Sequence, residues 1–322
     1  MRFRRAASIL FAVCVTAASV SLLGCSAGAK LLTRPDQKPV GAAPQDLHAV
    51  DVTIASPSGS ALRGWFVAGQ PGQGAILLLH GVHANRLVML QRARWLAGAG
   101  YAVLLIDFQA HGESPGKNIT FGHLESRDAR AAFDELQRRV PGERIGIVGV
   151  SMGGAAALLA QPPLPADALV LEQVYPTIDE ALDNRLRLYL GPFGPWFEAA
   201  LERATSRRLQ LDPAQLRPID HIRDQREPVF IIAGDIDRHT TLAQSRALFA
   251  AAAEPRQMWV VPGAEHVDIA HYAPDEYRKR VLDFFARTVR GGDQSSARAM
   301  PSTATSTMKS ISSGVMQNGG MK

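Results

Sequence analysis

The chain has 322 residues, of which 46% are hydrophobic and 20% charged, with a formal net charge of +5. That length and apolar share allow one large α/β domain or two smaller ones with a substantial core, and they exclude a disordered chain. Three of the 35 basic residues, Arg2, Arg4 and Arg5, lie in the first five positions, so the rest of the chain is close to neutral; with no basic run interleaved with aromatics, nucleic acid is not an expected partner.

Residues 1–24 stand apart from the fold. "MRFRR" is a short basic start followed by "AASILFAVCVTAASVSLLG", an apolar run rich in small residues, which is the pattern of an export signal. Its end, Leu22-Leu23-Gly24-Cys25, resembles the lipobox of bacterial lipoproteins, although Leu23 stands where Ala, Ser or Thr is commoner. The resemblance implies that Cys25 takes a lipid and becomes the new N-terminus; an ordinary cleaved signal or an uncleaved anchor is the alternative. Cysteine use agrees with lipidation, because the chain has only Cys14, inside the apolar run, and Cys25, so the mature monomer can form no disulfide. The expected location is the bacterial cell envelope, with the lipid on Cys25 as the membrane contact. Ser26 after that cysteine resembles signals sent to the outer membrane of a diderm host. Residues 25–45 are short of large apolar residues and predict a tether.

The folded part is expected over residues 46–290. Short apolar runs predict eight strands, at "VDVTIAS", "LRGWFVA", "GAILLLH", "YAVLLIDF", "IGIVGVS", "ALVLEQV", "PVFIIAG" and "QMWVVPG". From the third onward, helical segments separate most of them. One such segment places Ala129, Ala132, Phe133, Leu136 and Val140 at i, i+3, i+4, i+7 and i+11, the face of a helix that covers a sheet. Two early strands in hairpin-like succession, then alternating β and α, imply an eight-stranded, mostly parallel sheet with helices on both faces.

Within that domain, "IGIVGVSMGGAAALL", Ile145–Leu159, runs a buried strand straight into a serine boxed by glycines. The strand must become a helix at Ser151, and Gly149 and Gly153 remove the Cβ atoms that would collide in so sharp a turn. Ser151 as a plain helix N-cap is the alternative. The serine falls at the carboxyl end of the fifth strand, where open α/β sheets place their ligand sites. The region from about 175 to 226, between the sixth and seventh strands, is longer than a crossover needs and is broken by Gly191-Pro192 and Gly194-Pro195. It predicts an inserted helical cap, with the aromatics of "LYLGPFGPWF" lining a pocket beneath it. Residues 291–322, rich in Ser, Thr and Gly, predict a disordered tail.

These blocks resemble the α/β-hydrolase superfamily over nearly all of the folded part, with "GVSMGG" as nucleophile elbow, "LLLHGVHANR" as the oxyanion segment and "LLIDFQAHGES" after the fourth strand. The last is similar to the D-x-R-G-x-G-x-S segment of the dienelactone-hydrolase-like and serine-aminopeptidase-like branches, with Gln109 where Arg is usual. The resemblance implies an α/β-hydrolase fold and a chain order of Ser, acid, His. After Ser151 the acids just past the seventh strand are Asp235 and Asp237, and the resemblance favours Asp237, with Asp235 in the turn. His48, His80, His83, His111 and His123 precede the serine, His221 precedes the acid, and His239 is too near it in sequence. Of His266 and His271, the former matches the superfamily's G-x-x-H pattern from Gly263. The backbone N–H of Met152, at the start of the helix, is one oxyanion donor; by resemblance the other is that of Val82. His80, Asp107 and His111 are expected to shape loops.

The resulting expectation is a lipid-anchored serine hydrolase acting on a small acyl substrate: Ser151 attacks an ester, thioester or amide carbonyl, His266 moves the proton, and Asp237 orients His266. No cofactor is implied, and no zinc-ligand spacing is recognisable, so no metal is expected. A peptidase or acyltransferase on the same residues is one alternative. A non-catalytic binding lipoprotein that keeps the fold is another.

Overall fold

The structure, a computed structural model, describes residues 24–290. The segment read above as an export signal over residues 1–24, all but Gly24, and the tail read over 291–322 lie outside the described residues.

Among the described residues there are ten strands: β1 (Asp36–Gln37), β2 (Val50–Ala55), β3 (Ala61–Val67), β4 (Ala75–Leu79), β5 (Ala102–Ile106), β6 (His111–Gly112), β7 (Ile145–Val150), β8 (Ala168–Glu172), β9 (Val229–Gly234) and β10 (Arg256–Val261). Eight of them form one sheet in the order β10-β9-β8-β7-β4-β5-β3-β2. β2 pairs antiparallel with β3, and β3 antiparallel with β5; every other neighbour is parallel. All eight strands expected from the sequence are there.

The strand sequences explain their places. β4, β5, β8 and β9 are buried at every residue, as continuous apolar runs covered on both faces must be. β2, at the edge, buries only Val52 and Ile54 and turns the alternate residues to solvent. Helices supply the covers: α1 (residues 24–32), α2 (Leu90–Gly98), α3 (His123–Arg139), α4 (Met152–Leu159), α5 (Ile178–Leu190), α6 (Gly194–Leu209), α7 (Pro218–Ile222), α8 (Leu242–Ala251), α9 (Ile269–Tyr272) and α10 (Pro274–Thr288). Leu77 and Leu79 of β4 share a core with Phe133 and Leu136 of α3 and with α4. Ile76 and Leu78 point the other way, into a core with Leu96 of α2 and Phe284 and Phe285 of α10. The sheet thus separates two apolar layers.

A buried ion cluster ties the second layer together. Arg92 of α2 pairs with Glu172 at the end of β8 (Nη2 to Oε2, 2.6 Å) and with Asp268 (2.8 Å), and its Nε also donates to the Tyr277 hydroxyl at 3.0 Å. The Tyr277 hydroxyl in turn donates to Glu172.

The N-terminal segment departs from expectation. Residues 25–45 are not a free tether but lie along the domain. Cys25 and Ala29 of α1 are buried against Leu186 of α5 and Leu201 of α6, with Leu32 completing the stripe at i, i+4 and i+7. Gly28 permits the approach: a Cβ there would stand 3.1 Å from Leu201 Cδ1. The Arg208 Nε donates to Thr33 Oγ1 at 2.8 Å, and β1 then pairs parallel with β6. Small residues make a poor apolar run in sequence but a close-fitting face once α5 and α6 provide the opposite wall.

Between β8 and β9, α5 and α6 lie over Ser151 at the carboxyl end of β7, while α7 packs beside α4 and α8 with Ile222 in the core. Thr177 caps α5, accepting from Glu180 N–H at 3.2 Å. α6 folds back closely on α5 because Gly194 has no side chain; a Cβ there would stand 2.6 Å from the Leu186 backbone.

Candidate active site

The carboxyl ends of β4, β7 and β8 meet at Ser151, and the loops after β9 and β10 carry Asp237 and His266. The serine follows β7 directly and caps α4 with φ 49° and ψ −115°, a left-handed conformation that is costly for a residue with a Cβ, on the order of 1–3 kcal/mol. Its N–H donates to Glu172 O (2.8 Å) and its C=O accepts from Ala155 N–H (3.0 Å), which holds the turn in place. Both flanking glycines are sterically required. A Cβ on Gly149 would meet Gly154 Cα at 2.5 Å, and one on Gly153 would meet Leu79 O at 2.3 Å. Such a turn lifts the serine side chain off the sheet at the N-terminus of a helix.

Asp237 and His266 come together after β9 and β10. The His266 Nδ1 lies 2.8 Å from Asp237 Oδ2, and the Asp237 side chain is fully buried. A carboxylate only accepts, so Nδ1 carries the proton and Nε2 is left with its lone pair. Asp237 is itself fixed by three more donors: the N–H groups of His239 (2.7 Å) and Thr240 (2.9 Å) on Oδ1, and Gln173 Nε2 on Oδ2 (3.1 Å). The same Gln173 amide reaches Glu265 O at 2.6 Å and so also positions the His266 loop. Sequence reasoning missed Gln173; its one distinctive feature, φ 52° in a non-glycine residue just after β8, emerges only in the fold. Among the described residues no hydrogen bond joins the Ser151 hydroxyl to His266. Catalytic hydrogen bonds often tighten only when substrate is bound.

Val82 and Met152, expected from the sequence as oxyanion donors, both stand beside Ser151. Gly81 approaches the serine so closely that a Cβ on it would stand 3.5 Å from Ser151 Cβ, and Val82 and Met152 both line the pocket at Ser151. Among the described residues neither of their N–H groups donates to a protein acceptor.

His80, fully buried, donates from Nδ1 to Gly81 O (2.7 Å) and accepts from Phe108 N–H at Nε2 (3.1 Å). Burial pushes its pKa down to about 3, so it is a neutral brace of the loop that carries Val82. The Asp107 carboxylate accepts from the Arg86 side chain and from Glu113 N–H (2.9 Å), and Arg86 lies 4.4 Å over the Trp65 ring. Gln109 stays within this loop scaffold: its Nε2 donates to Glu125 Oε1 (2.6 Å) and Asn118 O (2.8 Å). Asp235 accepts from Gly263 N–H at 2.7 Å and bridges two loops from the exposed side, while His271 lies exposed on α9.

Beside Ser151 a cavity of about 270 Å³ runs under α5 and α6. α5 lines it with Ile178, Ala181, Leu182, Arg185 and Tyr189, at i, i+3, i+4, i+7 and i+11, and α1 reaches it through Leu32. The aromatics of residues 188–197 do not line it as expected. Tyr189 alone of that stretch does so, whereas Phe193 and Trp196 are 56% and 77% exposed, because the α5–α6 turn carries them past the rim.

This geometry, a strained serine elbow at the switch from strand to helix with an acid and a histidine on later strand ends, defines a class of protein. The match to the family model "Alpha/beta hydrolase family" over residues 76–280 makes it definite: the chain belongs to that family. It is 32% identical over 269 residues to Rv2307c of Mycobacterium tuberculosis, a match covering 82% of this chain and 89% of that protein. Over 107 residues, 32% of this chain and 34% of the relative, it is 34% identical to human monoglyceride lipase. Among solved structures, the Pyrococcus furiosus esterase Pf2001 superposes with a TM-score of 0.67 at 24% identity, covering 80% of this chain and 98% of that one, which is a likeness of fold.

Proposed function

We propose that the protein is a serine hydrolase of carboxylic esters with short to medium acyl chains. What supports this reading most is the 2.8 Å contact between His266 and buried Asp237, on strand ends next to a serine held at φ 49°. A serine hydroxyl is a weak nucleophile at neutral pH and needs a base; the Nδ1 bond to Asp237 leaves His266 Nε2 free to take the proton as Ser151 attacks. The carbonyl oxygen then becomes negative, and the N–H groups of Val82 and Met152 are the donors placed to receive it, each worth on the order of 10²–10³ in rate. His266 gives the proton to the leaving alcohol, and water, activated in the same way, releases the acid. The cavity is apolar along most of its wall and small for a ligand pocket, which sets the acyl length.

The test is labelling by fluorophosphonates, which react only with an activated serine. Butyl and octyl reagents are expected to modify Ser151 at neutral pH, a hexadecyl reagent far more slowly, and Ser151→Ala not at all. A protein that stays unlabelled, as a binding lipoprotein would, sinks the proposal; equal rates for all three chains sink the size limit.

We further propose that a lipid on Cys25 holds the protein to the cell envelope. The support is the Leu-Leu-Gly-Cys run after an apolar segment; two acyl chains provide stable attachment where one would not. The Cys25 thiol is packed against Leu186 and Leu201, so modification of its sulfur requires the first turn of α1 to move aside. Cys25→Ser is expected to abolish incorporation of radiolabelled palmitate and to leave an unprocessed precursor. If that variant is still cut after Gly24 and still sediments with membranes, the lipid assignment is wrong.

A further inference from the structure

Arg185 has no task in the reaction described above. On α5 it shares the cavity wall with Ile178, Ala181, Leu182 and Tyr189 and with the carboxylate of Asp179, and it lines the cavity together with Ser151, Val82 and Met152. Its Nη1 donates to Ala181 O at 2.9 Å, a carbonyl of its own helix one turn back. Among the described residues no carboxylate lies within ion-pair distance of it. The two deeply buried arginines are matched twice each: Arg86 by Asp107 and Glu113, and Arg92 by Glu172 and Asp268. Arg185 is only partly withdrawn from water, and Asp237, a carboxylate whose charge reaches it, lies beyond ion-pair distance and is already held by His266, so the guanidinium can still take an anion. Burial draws Arg185 below the usual arginine value, which agrees with that desolvation.

The cavity beside Arg185 leaves room for an anion. His83 lines the same cavity, and His239 lies against Tyr189, ring to ring at 6.4 Å. Burial first, and nearby positive groups including Arg185 second, draw both histidines below the ordinary value, so they are neutral hydrogen-bonding walls at pH 7. The cavity's carboxylates are Asp179 and Glu202; burial first, and then the charge of Asp179, raise the Glu202 pKa. They repel a negative group from their part of the cavity and favour the Arg185 part.

We propose that Arg185 is the binding site for a carboxylate on the acyl chain of the substrate, so that the preferred substrates are half-esters of short dicarboxylic acids. The proposal rests on Ser151 as nucleophile. The acyl part stays attached to Ser151 through the intermediate while the alcohol departs, so a group held in the cavity beneath the cap belongs to the acyl side. A guanidinium matches a carboxylate through two parallel N–H bonds, which an ammonium cannot reproduce.

The experiment compares kcat/KM of the full chain for p-nitrophenyl butyrate and mono-p-nitrophenyl glutarate, which differ by the terminal carboxylate, in wild type, Arg185→Gln and Arg185→Lys. A second pair, phenyl acetate and 4-acetoxybenzoate, puts the charge on the leaving group. Wild type is expected to favour the glutarate at least tenfold, Arg185→Gln to bring the ratio to about one, and Arg185→Lys to keep part of the preference. Added salt should lower the wild-type ratio and leave that of Arg185→Gln flat. A wild-type ratio of one or less overturns the proposal, as does a ratio that Arg185→Gln leaves intact or a preference found only with 4-acetoxybenzoate. Because the ratio is read within each variant, partial loss of folding does not mimic the effect. Absence of both ester turnover and fluorophosphonate labelling is the separate failure of the hydrolase reading.

Discussion

Ser151→Ala and His266→Ala are each expected to lower kcat for p-nitrophenyl esters by at least four powers of ten, and the double variant by hardly more than either alone. The reason is that nucleophile and base act as one unit: without the base the hydroxyl is inert, and without the hydroxyl the base has nothing to activate. Asp237→Asn should cost on the order of 10⁴, because an amide in that place can donate to Nδ1 and so stabilise the tautomer whose Nε2 carries the proton and cannot act as base. The four donors now on Asp237 make that site one that expects a charged acceptor. Asp235→Asn and His271→Ala should keep most activity, since one bridges a surface turn and the other is exposed on α9. Steady-state kinetics on folded variants, with circular dichroism as the control, decide it. If the effects of Ser151→Ala and His266→Ala multiply, the two residues work independently and the assignment is wrong.

The second large effect concerns stability. Arg92→Ala is expected to lower the unfolding free energy by about 3–5 kcal/mol, because it leaves the Glu172 carboxylate buried without its charge partner. Glu172 is 0% exposed, and Tyr277 alone cannot balance a full negative charge there. For a domain of this size that corresponds to a fall in Tm on the order of 10 °C. Replacing both buried partners by apolar residues, Arg92→Met with Glu172→Leu, should be less harmful than Arg92→Ala, since no buried charge is left unpaired and Asp268, the other partner of Arg92, is open to solvent. Urea unfolding of the three forms measures this, and a double variant worse than the single would show that the pair contributes more than it costs to bury. The cluster also reaches the site: the Glu172 carbonyl is the acceptor for Ser151 N–H, so loosening β8 at that residue loosens the elbow.

Most of the sheet could be read before any coordinates, because its evidence is local. Runs such as Ala75–Leu79 and Ala102–Ile106 have no polar side chain to offer solvent and must be buried on both faces. The elbow was legible from its pattern of glycines around Ser151, although only the Gly149 clash, against Gly154, is local, whereas Gly153 makes room for Leu79 O of β4. What could not be read depends on partners far away in sequence. The face of α1 is only Cys25, Ala29 and Leu32, too small to signal packing until Leu186 and Leu201 are set opposite it. Gln173 became visible only when the strand ends brought Asp237 and Glu265 to its amide. The exposed aromatics of the α5–α6 turn misled because composition does not tell which side of a turn a ring will face. Arg185 could have been flagged by its place on the cavity face of α5, but that no carboxylate among the described residues forms an ion pair with it is a fact of three dimensions.

Leu32 belongs both to α1 and to the cavity wall, so the site does not end where the hydrolase domain was expected to begin. A soluble form cut to start at residue 46, the natural choice from the sequence, would lose Leu32, the seam of Cys25 and Ala29 against the cap, and the Thr33 contact that holds Arg208. Its specificity profile would be that of a wider, wetter pocket, and a preference for bulky esters measured on it would describe the truncation and not the protein.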